Sequence, residues 1–348
     1  MSQTQDLAAL AARLDVSKMQ TVIDNFPGQI ETALAQALPG VAVPAGGYRR
    51  IVIAGMGGSA LPADVVLSAF EDRLTVPAEV VRHYVLPPSV DARTLVIITS
   101  FSGSTEETLA AVGGMPSDAQ NVVVVSGGGQ LRTLATERRY PYVQIPYERE
   151  PQGFQPRSAV GYFTTYFSRI LAAAGLMPDP AADLLSAVAL LRSISLRGDA
   201  ERVARWLEDK IPVVYTDEVH KTAVARIVKI KFNENAKRPS FFNALPEANH
   251  NETIGFLKPL GRYGLFYMHD EASHERVLRR YEVMKKVFAA HGMSHVEFER
   301  WDMPGKTRLQ KILASLAFAE QCSYYLALLD GFDPTPVDLV QEFKRELS

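Results

Sequence analysis

Apolar residues recur along this chain in two alternating rhythms. Leu7, Leu10 and Leu14, then Val22, Phe26, Ile30 and Leu34, keep helical spacing and predict helices across residues 6–38. A Gly/Pro connector fills 39–47. Short β-branched runs follow at 51–54, 78–84, 95–99, 122–126 and 142–145, each leading into a helical stretch. These runs are continuously apolar rather than alternating, as in parallel strands covered on both faces. A Pro/Gly/charged bridge (YEREPQGFQPR, 147–157) precedes a long apolar helix over 158–176, and strand-like runs resume at 212–216, 264–268 and 295–299. The pattern predicts two α/β halves: an N-terminal helical segment (1–47), a first α/β domain (48–155), bridging helices (156–205) and a second α/β domain with C-terminal helices (206–348).

A chain of 348 residues exceeds one ordinary core of about 150. Hydrophobic content of 47% and charged content of 22% describe a globular protein. With 37 basic and 39 acidic residues, the net charge of −2 provides no broad cationic field for nucleic acid or an anionic membrane. An anionic ligand therefore needs a local site. The single cysteine, Cys322, excludes an internal disulfide and a cysteine-based zinc cluster. The opening MSQTQD lacks the basic, apolar character of a leader, and no window approaches the ~20 apolar residues of a membrane span. The expectation is a cytoplasmic chain without membrane contact.

Two glycine- and hydroxyl-rich turns carry the candidate chemistry. Residues 51–60 (IVIAGMGGSA) read as a strand entering a glycine turn and then a helix, where free N–H groups meet an anion. Gly55, Gly57 and Ala60 also fit a dinucleotide fingerprint, but that reading needs an acid ending the second strand. This strand ends in His83, Tyr84 and Val85, so the dinucleotide reading weakens. Residues 99–108 (TSFSGSTEET) repeat the strand-to-helix turn with Ser100, Ser102, Ser104 and Thr105 clustered around Gly103. One hydroxyl would suffice for a helix cap; four and a glycine favour a cage for phosphate oxygens. There is no G-x-x-x-x-G-K-[ST] sequence for a nucleoside triphosphate. The pair of turns resembles the sugar-isomerase (SIS) domain, whose second loop usually reads S-Y-S-G-N-T-x-E-T; here Phe101 and Ser104 replace Tyr and Asn. The resemblance implies that Gly58, Ser59, Ser100, Ser102 and Thr105 hold a sugar phosphate.

In the second half, Glu234 lies between Asn233 and Asn235 at the end of an amphipathic helix starting near His220. A carboxylate aimed by amides could take a proton from C2 of a sugar and return it to C1 through a cis-enediol. A solvated helix end explains the same residues. Sixteen positions on, His250 sits among Glu247, Asn249, Asn251 and Glu252. Imidazole suits proton transfer between ring oxygens near neutral pH, although a loop histidine with capping amides is also common. The cluster is too sparse for a metal triad.

These segments together resemble the bifunctional phosphoglucose/phosphomannose isomerase family, with N-E-N followed by E-x-N-H-N-E, the Pro156-Arg157-Ser158 bridge, and Lys344 after an Asp333-Pro334-Thr335-Pro336 turn. The resemblance covers the chain from about residue 48 onward. It implies two SIS domains, each a doubly wound, flavodoxin/Rossmann-like parallel sheet flanked by helices. It further implies Glu234 as base, His250 and Lys344 assisting ring opening, Arg157 steadying the enediolate, no cofactor or metal, and a sugar 6-phosphate substrate. A homodimer with His250 reaching the partner's active site is implied too. Without the resemblance, Lys344 reads as a surface charge. The competing reading is a non-catalytic sugar-phosphate sensor, which would need no ordered base.

Overall fold

The computed structural model describes residues 6–116, 119–151 and 153–347. Residues 1–5, read above for a leader, and Gln152 of the bridge lie outside the described residues. The chain forms two compact units, Asp24–Arg192, and Met1–Ile23 with Ser193–Ser348. Of the N-terminal helices, α1 (Leu7–Leu14) packs on a helix of the second unit, α2 (Met19–Asp24) spans the division, and α3 (Phe26–Ala35) belongs to the first.

In the first unit, a parallel sheet runs in the order β2-β1-β3-β4-β5: β1 (Arg50–Ala54), β2 (Ala78–Val81), β3 (Thr94–Ser100), β4 (Val122–Ser126) and β5 (Tyr142–Gln144). The central strands β3 and β4 are buried at every position, as their uninterrupted Val/Ile/Leu runs require. The helices α4 (Gly57–Ala69), α5 (Glu106–Gly113) and α6 (Gly129–Glu137) connect the strands. α7 (Val160–Ala173), against which α3 and α4 pack, and α8 (Ala181–Ser193) complete the unit. This strand order reverses direction between β1 and β3, the position at which open α/β sheets bind ligands beyond their carboxyl ends. Both phosphate-loop candidates leave the sheet there.

The second unit repeats the plan with four parallel strands in the order β7-β6-β8-β9: β6 (Ile211–Asp217), β7 (Phe241–Leu245), β8 (Tyr263–His269) and β9 (Val296–Asp302). Around it lie α9 (Arg197–Leu207), α10 (Arg226–Glu234), α11 (Glu247–Asn251), α12 (Glu275–Ala290), α13 (Arg308–Leu329) and α14 (Asp338–Leu347). The strand β7 was not anticipated from the sequence. Its five residues hold an Asn and an exposed Phe241, so its apolar signal is weak at this sheet edge. A π-helical turn, Lys221–Ala225, opens α10 where the sequence suggested uninterrupted α-helix. The apolar-window expectation also needs correction. α13 is long and apolar enough to cross a membrane, but 89% of that window is buried in the fold, so it serves as a core helix.

The loops of the first sheet are set by backbone contact. Gly103 has φ 69°, and a Cβ there would stand 1.7 Å from the Gly128 carbonyl oxygen. Gly103→Ala should therefore strain the turn by about 2 kcal/mol or more. Thermal unfolding should fall on the order of 5 °C below that of the parent chain, and an unchanged curve would contradict this packing.

Candidate functional site

At the carboxyl end of β1, Gly55 passes so close to β3 that a Cβ would lie 2.5 Å from Thr99 Cγ2. In the first turn of α4, a Cβ on Gly58 would lie 2.5 Å from the Arg157 backbone nitrogen. Arg157 belongs to a 3-10 turn, Pro156–Ser158, and is 2% exposed. The structure thus brings the bridge arginine against the first loop. Ser59, buried, accepts a hydrogen bond from the Phe101 N–H at 2.8 Å and so joins the first loop to the second.

The hydroxyls of the second loop converge. Ser100 is the fully buried last residue of β3, and its Oγ accepts from Gly103 N–H at 3.0 Å. The same oxygen stands 2.8 Å from Thr105 Oγ1 and 3.4 Å from Ser102 Oγ. Thr105 occupies the N-cap position of α5, yet its hydroxyl makes no capping bond. The simple helix-cap explanation therefore does not account for Thr105. Ser102 is exposed, so the hydroxyls run from a buried floor to the surface above a helix start.

In the second unit, Glu234 ends α10 and is partly exposed. The helix end is fixed from inside the core. Lys231, fully buried, donates to Glu320 Oε1 on α13, and Asn235 Nδ2 donates to Glu320 Oε2 at 2.9 Å and to Ser323 Oγ at 3.0 Å. Asn233 Nδ2 instead holds the Arg238 carbonyl at 2.8 Å. The asparagines thus anchor the turn that carries the carboxylate. Lys237 donates to the carbonyls of Glu234 at 2.7 Å and Pro334 at 3.0 Å, drawing the N-E-N segment and the Asp333-Pro334 turn together.

His250 is exposed on the five-residue α11. The polar residues beside it in sequence point to other partners. Asn251 donates to Glu247 Oε1 at 2.8 Å, Asn249 donates to Met284 Sδ at 3.4 Å, and Glu252 accepts from Tyr215 and from Asn243 at 2.6 Å. Burial, and then the Glu252 carboxylate, push the Tyr215 hydroxyl upward in pKa, so it stays a donor that pins the segment. Lys344 is exposed on α14. Sequence reasoning missed Glu320. It is the one acidic residue of α13, and an isolated acid in an apolar helix signals a buried partner.

Residues 197–347 match the family described as "Bacterial phospho-glucose isomerase C-terminal SIS domain". Two proteins named bifunctional phosphoglucose/phosphomannose isomerase align over most of the chain. One, from Caldicellulosiruptor bescii, is 30% identical over 93% of this chain and 97% of its own length. The other, from Aquifex aeolicus, is 32% identical over 86% and 91%. A D-glucosamine-6-phosphate 4-epimerase from Sulfolobus acidocaldarius is 31% identical over 67% of this chain and 71% of its own. Among solved structures, a hypothetical protein from Thermus thermophilus superposes with a TM-score of 0.68 at 17% identity, over 98% of this chain and 94% of that one. Identity at this level, sustained across almost the whole length of both proteins, makes the chain a member of the bifunctional phosphoglucose/phosphomannose isomerase family.

Proposed function

We propose that this chain interconverts glucose 6-phosphate and mannose 6-phosphate with fructose 6-phosphate through a cis-enediol. The observation that carries the reading is the convergence of Ser100, Ser102 and Thr105 hydroxyls at the β1/β3 switch point, with Ser59 tied into the same loop. That arrangement offers donors to phosphate oxygens without a cationic field. Gly58 lets the backbone of Arg157 pack against the first loop, and Arg157 supports the negative charge of an enediolate. Glu234, held at the end of α10 by the Glu320 network, serves as the base that moves the proton between C2 and C1. His250 and Lys344 carry the ring-opening proton between O5 and O1. No cofactor takes part in these steps.

The exposed imidazole of His250 and the exposed apolar face of α14, with Leu339, Phe343 and Leu347, support assembly as a homodimer in which His250 serves the partner's site. A cytoplasmic location fits a substrate that is a phosphorylated metabolite. The non-catalytic sensor reading is disfavoured by relatives named as isomerases.

A coupled assay tests the reaction. Purified chain should convert both glucose 6-phosphate and mannose 6-phosphate to fructose 6-phosphate. Turnover of glucosamine 6-phosphate alone would contradict the reading and favour the 4-epimerase relative's chemistry.

The double variant Ser102→Ala/Thr105→Ala should raise KM at least ~30-fold, from two lost hydrogen bonds to a charged group. An unchanged KM in the folded variant refutes the cage. Light scattering should report a dimer; a fully active monomer would exclude His250 acting across a subunit boundary.

A further inference from the structure

The second sheet has its own switch point, between β6 and β8, and chemistry unlike the hydroxyl loops gathers there. Asp217 ends β6, His220 follows three residues later, Asp270 follows β8, and Lys311 reaches in from α13. All four are buried, at 6%, 2%, 7% and 5% exposure. They border a cavity of about 330 Å³ that Ser273, Glu218 and Lys306 also line.

The hydrogen bonds assign each group a face. Asp217 Oδ1 lies 2.8 Å from His220 Nδ1 and accepts the His220 backbone N–H at 2.9 Å, while Ser273 donates to Asp217 Oδ2. Nδ1 is thus the ring nitrogen that meets the Asp217 carboxylate, and Nε2 points toward Asp270. Nε2 is buried and has no hydrogen-bond partner among the described residues. It stands 3.6 Å from Asp270 Oδ2, too far for a hydrogen bond. Asp270 Oδ1 is taken by the Lys311 ammonium.

Two atoms each about 2.1 Å from one ion, at a tetrahedral angle, stand roughly 3.4 Å apart. The gap between Nε2 and Oδ2 has this size. A carboxylate behind the imidazole is the arrangement that orients a metal-binding histidine. Among the buried groups two carboxylates face one ammonium, while Glu218, Lys306 and Arg308 line the rest of the cavity. We infer that His220 Nε2 and Asp270 Oδ2 bind a divalent transition-metal ion such as zinc. Asp217 and Ser273 support the imidazole from behind, and the ion's remaining positions open into the cavity. This site goes beyond the isomerase reading, whose proton transfers use other residues.

Zinc titrated calorimetrically into EDTA-treated, dialysed chain should reveal one saturable site, and cobalt in its place should give the visible absorption of an ordered low-coordinate ion. Asp270→Asn and His220→Ala should abolish both signals. Asp217→Asn should weaken binding about 10–100-fold, as loss of an outer-sphere partner does. If His220→Ala does not fold, Lys311→Met decides. Removing the competing ammonium should tighten zinc at least about tenfold, and zinc should raise the variant's melting temperature more than the parent's. Absence of zinc binding to the parent, equal binding by parent and Asp270→Asn, or weaker binding by Lys311→Met would overturn the site.

Discussion

Four backbone segments of the first unit approach one another closely enough to gather the hydroxyls of the candidate phosphate site. A Cβ at Gly55, Gly58, Gly103 or Gly129 would fall within 3 Å of Thr99, Arg157, Gly128 or Ser102 respectively. A side chain at any of these positions would push apart the loops that follow β1, β3 and β4, or the bridge. Because the side chains are missing, the Ser100, Ser102 and Thr105 hydroxyls can meet, and Ser59 can reach the Phe101 amide. The glycines therefore act by omission, as backbone packed on backbone leaves the polar groups facing one place.

The second unit fixes its proposed base, Glu234, differently. A fully buried lysine costs free energy unless paired, and Lys231 is paired with Glu320, which Asn235 also holds. Removing either partner would leave an uncompensated charge beside the helix turn that presents Glu234. Arg238 adds a second clamp: it binds Asp330 through two bonds of 2.6 Å and the Leu207 carbonyl at 2.9 Å, tying the turn after α10 to the ends of α9 and α13. Both clamps join residues far apart in sequence, so the end of α10 is positioned by tertiary structure rather than by its own helix propensity.

Much of the fold was legible because central parallel strands are long apolar runs, and these needed no tertiary information to recognise. The edge strand β7 escaped notice because half its surface is wet. The loop residues around Ser59 and Ser100–Thr105 were legible too, since glycines and hydroxyls at strand-to-helix turns have a physical reason to be there. The pairings were hidden in both units: Glu320 with Lys231, Asp270 with Lys311, and Gly58 with Arg157. Each joins segments that only the folded chain brings into contact. Conversely, the amides and carboxylates around His250, which suggested a local cluster, are bonded to Met284, Tyr215, Asn243 and one another.

Glu234 as the base that carries the proton between C1 and C2 is the claim that most directly separates isomerase from sugar-phosphate binder. Glu234→Gln, incubated with fructose 6-phosphate in deuterium oxide and followed by NMR, measures it. The account predicts that the variant still binds the phosphate ester but incorporates deuterium into the sugar ~10²–10⁴-fold more slowly than the parent. Exchange at the parental rate would contradict the account.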